Sequence, residues 1–113
     1  MKGKRFLDAL RGIRVVVLST RHFSVHLFFA LLSIVLGFCF NISESEWIAI
    51  IFAIGFVVVA EAFNTAIEVD INLTSPEFHP YARDTKDIAA GAVLLSVFTA
   101  IIIGLIIFLP KIL

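Results

Sequence analysis

The stretch WIAIIFAIGFVVVAEAFNTAIE, residues 47–68, begins as an apolar run and ends with two carboxylates and an amide. The part before the first carboxylate covers only about 21 Å at 1.5 Å per residue of α-helix, whereas the hydrocarbon core of a bilayer is about 30 Å thick. A membrane-spanning helix that starts at Trp47 must therefore continue through Glu61, Asn64 and Glu68. We expect these polar groups to lie in its last turns, near one membrane face.

The composition of the whole chain supports a membrane environment. The chain has 113 residues, of which 60% are hydrophobic and 16% are charged, and its mean hydropathy is +1.05. Soluble domains carry about 25% charged residues. A chain this apolar would expose too much apolar surface in water, so we interpret it as an integral membrane protein with a single domain, residues 1–113. The lone cysteine, Cys39, excludes an internal disulfide.

Three apolar segments are candidates for membrane-spanning helices, at about 23–40, 47–69 and 88–109. The polar sequence NISESE, residues 41–46, separates the first two with turn and capping residues. The last segment contains no charged residue and is the clearest span. The sequence therefore predicts an all-α membrane protein with three transmembrane helices.

A basic segment precedes the first span. Residues 4–18, KRFLDALRGIRVVVL, predict a surface helix with an apolar stripe formed by Phe6, Leu10, Ile13 and Val17. A basic amphipathic helix of this kind suits an interfacial position against anionic lipid. An ordinary charged tail that only sets the membrane orientation is an equally good interpretation.

The distribution of lysine and arginine predicts the orientation in the membrane. The N-terminal segment has six of these residues, the 41–46 loop none, the 70–87 loop two and the C-terminal tail one. The positive-inside rule then places the N-terminus and the 70–87 loop in the cytoplasm and the C-terminus outside. The topology accounts for the only basic cluster, so we expect no nucleic-acid partner.

The polar residues of the second span share one face of the predicted helix. Asn64 and Thr65 lie three and four residues after Glu61, and Glu68 lies four and three residues after them, which stacks the four side chains in a row. An ionised carboxylate at this depth costs several kcal/mol unless it gains a partner, a metal ion or a proton. The row is therefore either a functional site or a polar clamp that pairs with Arg or Lys of a neighbouring helix.

The segment NLTSPEFHPYARDTKD, residues 72–87, adds further polar groups at the same membrane face. Mg²⁺ prefers oxygen ligands together with phosphate oxygens, a lysine can neutralise phosphate charge, and a base can receive the proton of an acceptor hydroxyl. Glu77, His79, Lys86 and Asp87 supply such groups, so the chain has the components for magnesium-dependent phosphoryl transfer. Spacing alone does not separate a kinase from a phosphatase or an ion site.

Three blocks of the sequence closely resemble the signature blocks of the prokaryotic diacylglycerol kinase and undecaprenol kinase family. They are EAFNTAIE (61–68), SPEFHP (75–80) and KDIAAGAVL (86–94). The resemblance covers nearly the whole chain, including the basic amphipathic start and the order of the three apolar segments. The second and third blocks are closer to the undecaprenol kinase branch.

The resemblance implies a homotrimer in the bacterial cytoplasmic membrane that transfers the γ-phosphate of MgATP to a lipid hydroxyl, either of undecaprenol or of diacylglycerol. It implies that Glu61 is the general base and that Glu68 binds the magnesium ion. It also implies a set of nucleotide-binding residues: Asn64, Glu68, Glu77, Phe78, His79, Lys86 and Asp87.

Two positions differ from the pattern of the family. Thr20 stands where the family usually has a second metal-binding glutamate, and Asn72 stands where an acidic residue usually follows Glu68. A threonine oxygen can still coordinate Mg²⁺, so we keep Thr20 as a metal ligand and favour a lipid kinase. The alternatives are a degenerate family member that acts as a non-enzymatic membrane protein, and a small transporter or proton relay.

Overall fold

The computed structural model describes residues 2–20 and 22–113, and α-helix is the only regular secondary structure in these ranges. Four helices follow one another along the chain: α1 (Lys2–Ser19), α2 (Phe23–Cys39), α3 (Glu44–Thr74) and α4 (Pro80–Ile112). The two long helices, α3 with 31 residues and α4 with 33 residues, dominate the molecule. The observed fold is therefore all-α, as the sequence predicts.

Helix α3 begins with a capping box in the NISESE loop. The Ser43 hydroxyl accepts a hydrogen bond from the Glu46 amide at 3.3 Å, and the Ser43 amide donates to the Glu46 carboxylate at 2.9 Å. This reciprocal pair satisfies amide groups that have no partner within the helix. The helix then continues without a break through Glu61 and Glu68 to Thr74. The predicted continuation of the second apolar segment is confirmed.

The connection between α3 and α4 is much shorter than the loop predicted at 70–87, because both helices extend into it. Helix α4 starts at Pro80, whose fixed φ suits the first position of a helix. The preceding residue caps it: His79 Nδ1 accepts a hydrogen bond from the Tyr81 amide at 3.1 Å. Only residues 75–79 are left as the connection, so Lys86 and Asp87 lie on α4.

Helices α3 and α4 pack against each other in antiparallel orientation. Lys111, near the end of α4, donates to the Glu46 carboxylate at the start of α3 at 2.6 Å. At the opposite end of the pair, Lys86 donates to the side-chain oxygen of Asn72 at 2.7 Å. The buried cluster lies near the first of these contacts and consists of Ile42, Ile50, Ile107 and Phe108.

Most of the large apolar side chains face outward. Phe52 on α3 is 68% exposed, and Leu95 on α4 is 70% exposed. Soluble monomers rarely expose contiguous apolar surface on this scale. By length and composition, α3 and α4 can each cross a membrane, which agrees with a membrane protein.

The first predicted span, 23–40, coincides with α2. This helix has 17 residues, or about 25 Å of length, which is less than a hydrocarbon core of about 30 Å. Helices α1 and α2 are bent by 102° relative to each other. By length and composition they form a third candidate span only if the two helices are taken together. Two to three spans are therefore compatible with the fold, and the number three stays a prediction.

Candidate active site

Glu61, the predicted base, forms a close contact with a residue from another helix. His26 Nε2 on α2 lies 2.7 Å from Glu61 Oε1 on α3. The side chains of His26 and Glu61 are 21% and 14% exposed, so most of the pair is shielded from solvent. Glu61 thus has a partner, but the partner is an imidazole and not the Arg or Lys that the polar-clamp interpretation requires.

Thr20, the predicted replacement for a second metal-binding glutamate, lies beside the same turn of α3. Thr65 is 9% exposed and donates its hydroxyl proton to the backbone oxygen of Glu61 at 3.0 Å. The Thr20 hydroxyl, in the short α1–α2 connection, lies 3.5 Å from the Thr65 hydroxyl. The structure therefore brings Thr20 to the row of polar residues on α3.

Asn64 has an oxygen that no described residue satisfies. Its side-chain carbonyl oxygen Oδ1 is buried and accepts no hydrogen bond from residues 2–20 or 22–113. Native structures rarely leave a buried polar atom without a partner, and such atoms are common where a ligand or an ion binds. The orphaned oxygen lies on α3 between Glu61 and Glu68, on the face where the sequence predicts the metal and the nucleotide.

Glu68, Asn64 and Thr20 carry oxygen atoms of the chemical type that Mg²⁺ prefers. Within the described ranges, no three His, Cys, Asp or Glu side chains come close enough together to hold a metal ion. Mg²⁺ is usually bound by one or two carboxylates plus substrate phosphates, and not by a cage made only of protein groups. The Glu68 carboxylate and the unpartnered Asn64 oxygen match that pattern, with the Thr20 hydroxyl as a further oxygen donor.

A polar cleft lies beside Glu68, where α3 and α4 are joined. It has a volume of about 580 Å³. Its walls contain most of the residues that the sequence predicts for nucleotide binding, namely Glu68, Glu77, Phe78, His79, Lys86 and Asp87. The short connection at 75–79 brings these residues together, because it folds the start of α4 back against the end of α3.

Two contacts arrange the charged groups of this cleft. Lys86 is half-buried and points its ammonium group at Asn72 Oδ1, which holds the positive charge at the cleft wall without a carboxylate to neutralise it. Arg83 Nε lies 3.6 Å from Asp87 Oδ2, with both side chains 69% exposed. An ion pair this exposed contributes little, so the Asp87 carboxylate remains available to a ligand.

Glu61 faces a different space, an apolar cavity of about 440 Å³ between α2, α3 and α4. Among the described side chains that line the cavity, only His26, Ser33 and Glu61 carry polar atoms. The Ser33 hydroxyl donates to the Phe29 carbonyl at 2.8 Å, which satisfies it within α2. The polar face of α3 therefore borders two environments, with Glu61 and Glu68 separated by about two helical turns, or roughly 10 Å.

His26 is not among the site residues predicted from the sequence, although one signal for it is present. An ionisable side chain within an apolar span is rare and is usually functional. His26 lies inside the first apolar segment and meets that description. The spacing of residues in the sequence does not predict that Glu61 is its partner, because the two residues are 35 positions apart and lie on different helices.

The fold and the site together define a class: an all-helical membrane protein with a polar, carboxylate-containing cleft beside an apolar cavity. Residues 8–108 match the prokaryotic diacylglycerol kinase family. The chain is 41% identical to the undecaprenol kinase of Bacillus subtilis over 108 residues, which covers 96% of this chain and 88% of that protein.

Two further relatives are named diacylglycerol kinase. The protein from Synechocystis is 30% identical over 109 residues, which covers 96% of this chain and 62% of that protein. A protein from Helicobacter pylori is 32% identical over 106 residues, which covers 89% of this chain and 83% of that protein. The chain belongs to the prokaryotic diacylglycerol kinase family. It is therefore a lipid kinase, that is, a phosphotransferase with an alcohol group as acceptor.

Proposed function

We propose that this protein transfers the γ-phosphate of MgATP to the hydroxyl group of undecaprenol, or less readily of diacylglycerol, at the cytoplasmic face of the membrane. One observation carries the proposal. The polar face of α3 places Glu61 at the wall of an apolar cavity and Glu68 at the wall of a polar cleft. A kinase of lipids needs such a pair of spaces, because its acceptor is apolar and its donor is highly charged.

The polar cleft is the proposed nucleotide site. Lys86 would bind phosphate oxygens, and His79 and Phe78 would contact the rest of the nucleotide from the α3–α4 connection. Glu68, Asn64 and Thr20 would hold the magnesium ion. When bound, the ion neutralises phosphate charge and orients the γ-phosphate.

Glu61 is the proposed general base. The apolar cavity would accept the first carbons of the lipid chain and bring the hydroxyl group to the Glu61 carboxylate. Glu61 takes the hydroxyl proton as the oxygen attacks the γ-phosphorus, and ADP leaves with the electron pair of the broken bond. The carboxylate lies within an apolar segment because the acceptor hydroxyl is found there.

The proposed membrane arrangement has α2, α3 and α4 as spans, with the N-terminus in the cytoplasm and the C-terminus outside. The 102° bend between α1 and α2 suits a helix that lies along the surface beside one that crosses it. Reporter fusions at the two termini test this arrangement. Reporters that place both ends on one side of the membrane would exclude three spans.

We also propose that three copies associate, with each active site completed by a neighbouring subunit. The outward apolar faces of α3 and α4 offer the surface for this contact. In the proposed metal site Glu68 is the only carboxylate from the described residues of one chain, so a further ligand can come from another copy. Crosslinking of active protein should capture trimers, and a protein that is active only as a monomer would contradict the proposal.

The greater similarity to an undecaprenol kinase favours a polyprenol as acceptor. Purified protein in mixed micelles should transfer label from γ-labelled ATP to undecaprenol with a higher kcat/KM than to diacylglycerol, and transfer should require Mg²⁺. Equal or higher kcat/KM with diacylglycerol would reverse the assignment of the lipid. No transfer to either lipid would support the alternative of a degenerate, non-enzymatic family member.

A further inference from the structure

We propose that His26 is a positioning residue for the general base: its imidazole holds the Glu61 carboxylate in the orientation in which it accepts the proton of the lipid hydroxyl. The inference rests on the proposed function, because it assigns a role to His26 through Glu61. It adds a residue of α2 to a site that the sequence motifs place on α3 and α4.

The geometry of the contact carries the inference. The distance of 2.7 Å between His26 Nε2 and Glu61 Oε1 is that of a charge-assisted hydrogen bond. Both side chains line the same apolar cavity, which contains only one other polar side chain among its described residues. The pair is therefore placed where an apolar molecule with a single hydroxyl group would be recognised.

The pairing engages one carboxylate oxygen and leaves the other for chemistry. No hydrogen bond from a described residue reaches Glu61 Oε2. With Nε2–H as donor to Oε1, rotation of the carboxylate is restricted, while Oε2 has no hydrogen-bonding partner among the described residues. A general base must lie within about 3 Å of the proton that it abstracts, so this restriction bears directly on turnover.

The chemical type of the partner also fits this role. A carboxylate that is mostly shielded from solvent needs a donor, and an imidazole ring nitrogen can supply one. An Arg or Lys at the same place would form a buried ion pair, which is the structural clamp. His26 thus gives Glu61 a hydrogen-bonding partner within the apolar region.

The test compares two substitutions of the histidine. His26→Leu removes the donor at similar volume, and His26→Gln keeps an N–H donor near the position of Nε2. A misplaced catalytic group of this kind typically costs about 100-fold in rate. We expect kcat for lipid phosphorylation to fall about 10- to 100-fold in His26→Leu, with KM for ATP unchanged, and to recover largely in His26→Gln.

A matched control is available on the same stretch of chain. His22 is exposed and its side chain makes no capping hydrogen bond to α2, so His22→Leu should leave kcat unchanged. The double variant His26→Leu/Glu61→Gln should lose no more activity than Glu61→Gln alone, because the histidine acts through the glutamate. A purely structural role predicts equal losses from His26→Leu in both backgrounds, and that result would overturn the inference.

The outcomes separate this inference from the proposed function. Inactive Glu61→Gln with fully active His26→Leu would reject the role of His26 and retain Glu61 as the base. Full activity of Glu61→Gln would reject both. If His26→Leu does not assemble, ¹⁵N NMR of the imidazole in the intact protein decides: a proton on Nε2 that shifts on Glu61→Gln supports the inference, and an unprotonated Nε2 overturns it.

Discussion

The two ends of the α3–α4 pair are built differently. We refer to the part around residues 36–50 and 103–113 as the closed end, and to the part formed by residues 61–91 as the open end. At the closed end, the buried side chains pack against one another, and Glu46 pairs with Lys111. At the open end, polar groups line a cleft, and the buried oxygen of Asn64 has no partner among the described residues.

The closed end is packed tightly around an aromatic residue. Trp47 lies against Phe38, with ring centroids 4.9 Å apart, and its indole touches Gly37, where a Cβ atom would come within 2.6 Å of it. The connection at Asn41 has a positive φ of 48°, which asparagine tolerates well. This end of the molecule is complete without a ligand.

The open end contains several exposed charged groups. Glu68, Glu77 and Asp87 are exposed around one cleft with the Lys86 ammonium among them. Charged groups that lie exposed around a cleft remain available to bind a ligand. The difference indicates that the closed end maintains the fold, whereas the open end is organised for a charged ligand, an apolar substrate or another copy of the chain.

The largest expected effect comes from changing the open end without changing its packing. Glu61→Gln keeps the size of the side chain but cannot accept a proton, so kcat should fall about 10²- to 10⁴-fold. Binding of MgATP, measured by calorimetry, should be largely retained because the nucleotide cleft does not include Glu61.

A substitution at the closed end serves as the control for Glu61→Gln. Glu44→Gln is the same chemical change at an exposed position in the first turn of α3, and it should leave turnover intact. If both variants assemble poorly and neither shows a selective defect in turnover, Glu61 belongs to a structural clamp.

The second effect concerns Glu68. Glu68→Gln removes the carboxylate next to the nucleotide cleft, where Thr20 already stands in place of a glutamate. Hydrogen bonds to charged groups are worth about 1.5–3 kcal/mol, so affinity for MgATP should fall about 10- to 100-fold and activity should fall with it. Titration with excess Mg²⁺ should partly restore activity.

Asp70→Asn provides the matched control for Glu68, because Asp70 is exposed on the opposite face of α3. Its affinity for MgATP should equal that of the unmodified protein. Thr20→Glu should lower the Mg²⁺ concentration needed for half-maximal activity, because it adds a carboxylate beside Thr65. Well-assembled Glu68→Gln protein with normal affinity for MgATP would refute the assignment of Glu68.

A third effect tests the closed end. Gly37→Ala would place a Cβ atom 2.6 Å from the Trp47 ring and 3.1 Å from Ile42. Overpacking of a buried site costs about 1–3 kcal/mol, so the midpoint of thermal unfolding in detergent should fall. Gly12→Ala, where an added Cβ meets nothing within 4 Å, should not lower it. Equal midpoints for the two variants would show that the closed end is less rigid than its contacts indicate.

The sequence was most informative where local rules decide the structure. The turn with capping residues at 41–46 followed from residue type, and the continuation of α3 through Glu61 and Glu68 followed from the thickness of a bilayer. The grouping of Glu77, His79 and Lys86 near Glu68 followed from the resemblance to the family and from the position of these residues after α3.

The sequence was least informative where distant residues meet. The packing of α1 and α2 on α3 determines two contacts, that of His26 with Glu61 and that of Thr20 with Thr65. No local spacing in the sequence specifies this packing. The length of the α3–α4 connection was overestimated because the charged segment 80–87 resembles a loop in composition. Its helical start depends on Pro80 and on the cap from His79, a detail of geometry.

The smallest expected effect is the pH dependence of the closed end. The hydrogen bond from the Lys111 ammonium, together with that from the Ser43 amide, holds the pKa of Glu46 below its ordinary range. A carboxylate whose pKa is lowered in the folded state stabilises the fold above its unfolded pKa, and the contribution is lost as the pH falls through the folded pKa. Lys111→Gln should therefore lower the unfolding midpoint slightly at neutral pH, and the difference from the unmodified protein should shrink in acid.

The size of this effect is limited by solvent. The Lys111 and Glu46 side chains are 28% and 26% exposed, and ion pairs with access to water are screened by salt. Raising the ionic strength at neutral pH should therefore reduce the difference between Lys111→Gln and the unmodified protein. Lys4→Gln, the same change on the exposed surface of α1, should show neither the pH dependence nor the salt dependence. If the difference between Lys111→Gln and the unmodified protein were constant from neutral to acid pH, the contact of Lys111 with the Ile107 carbonyl at 3.0 Å would be the stabilising one.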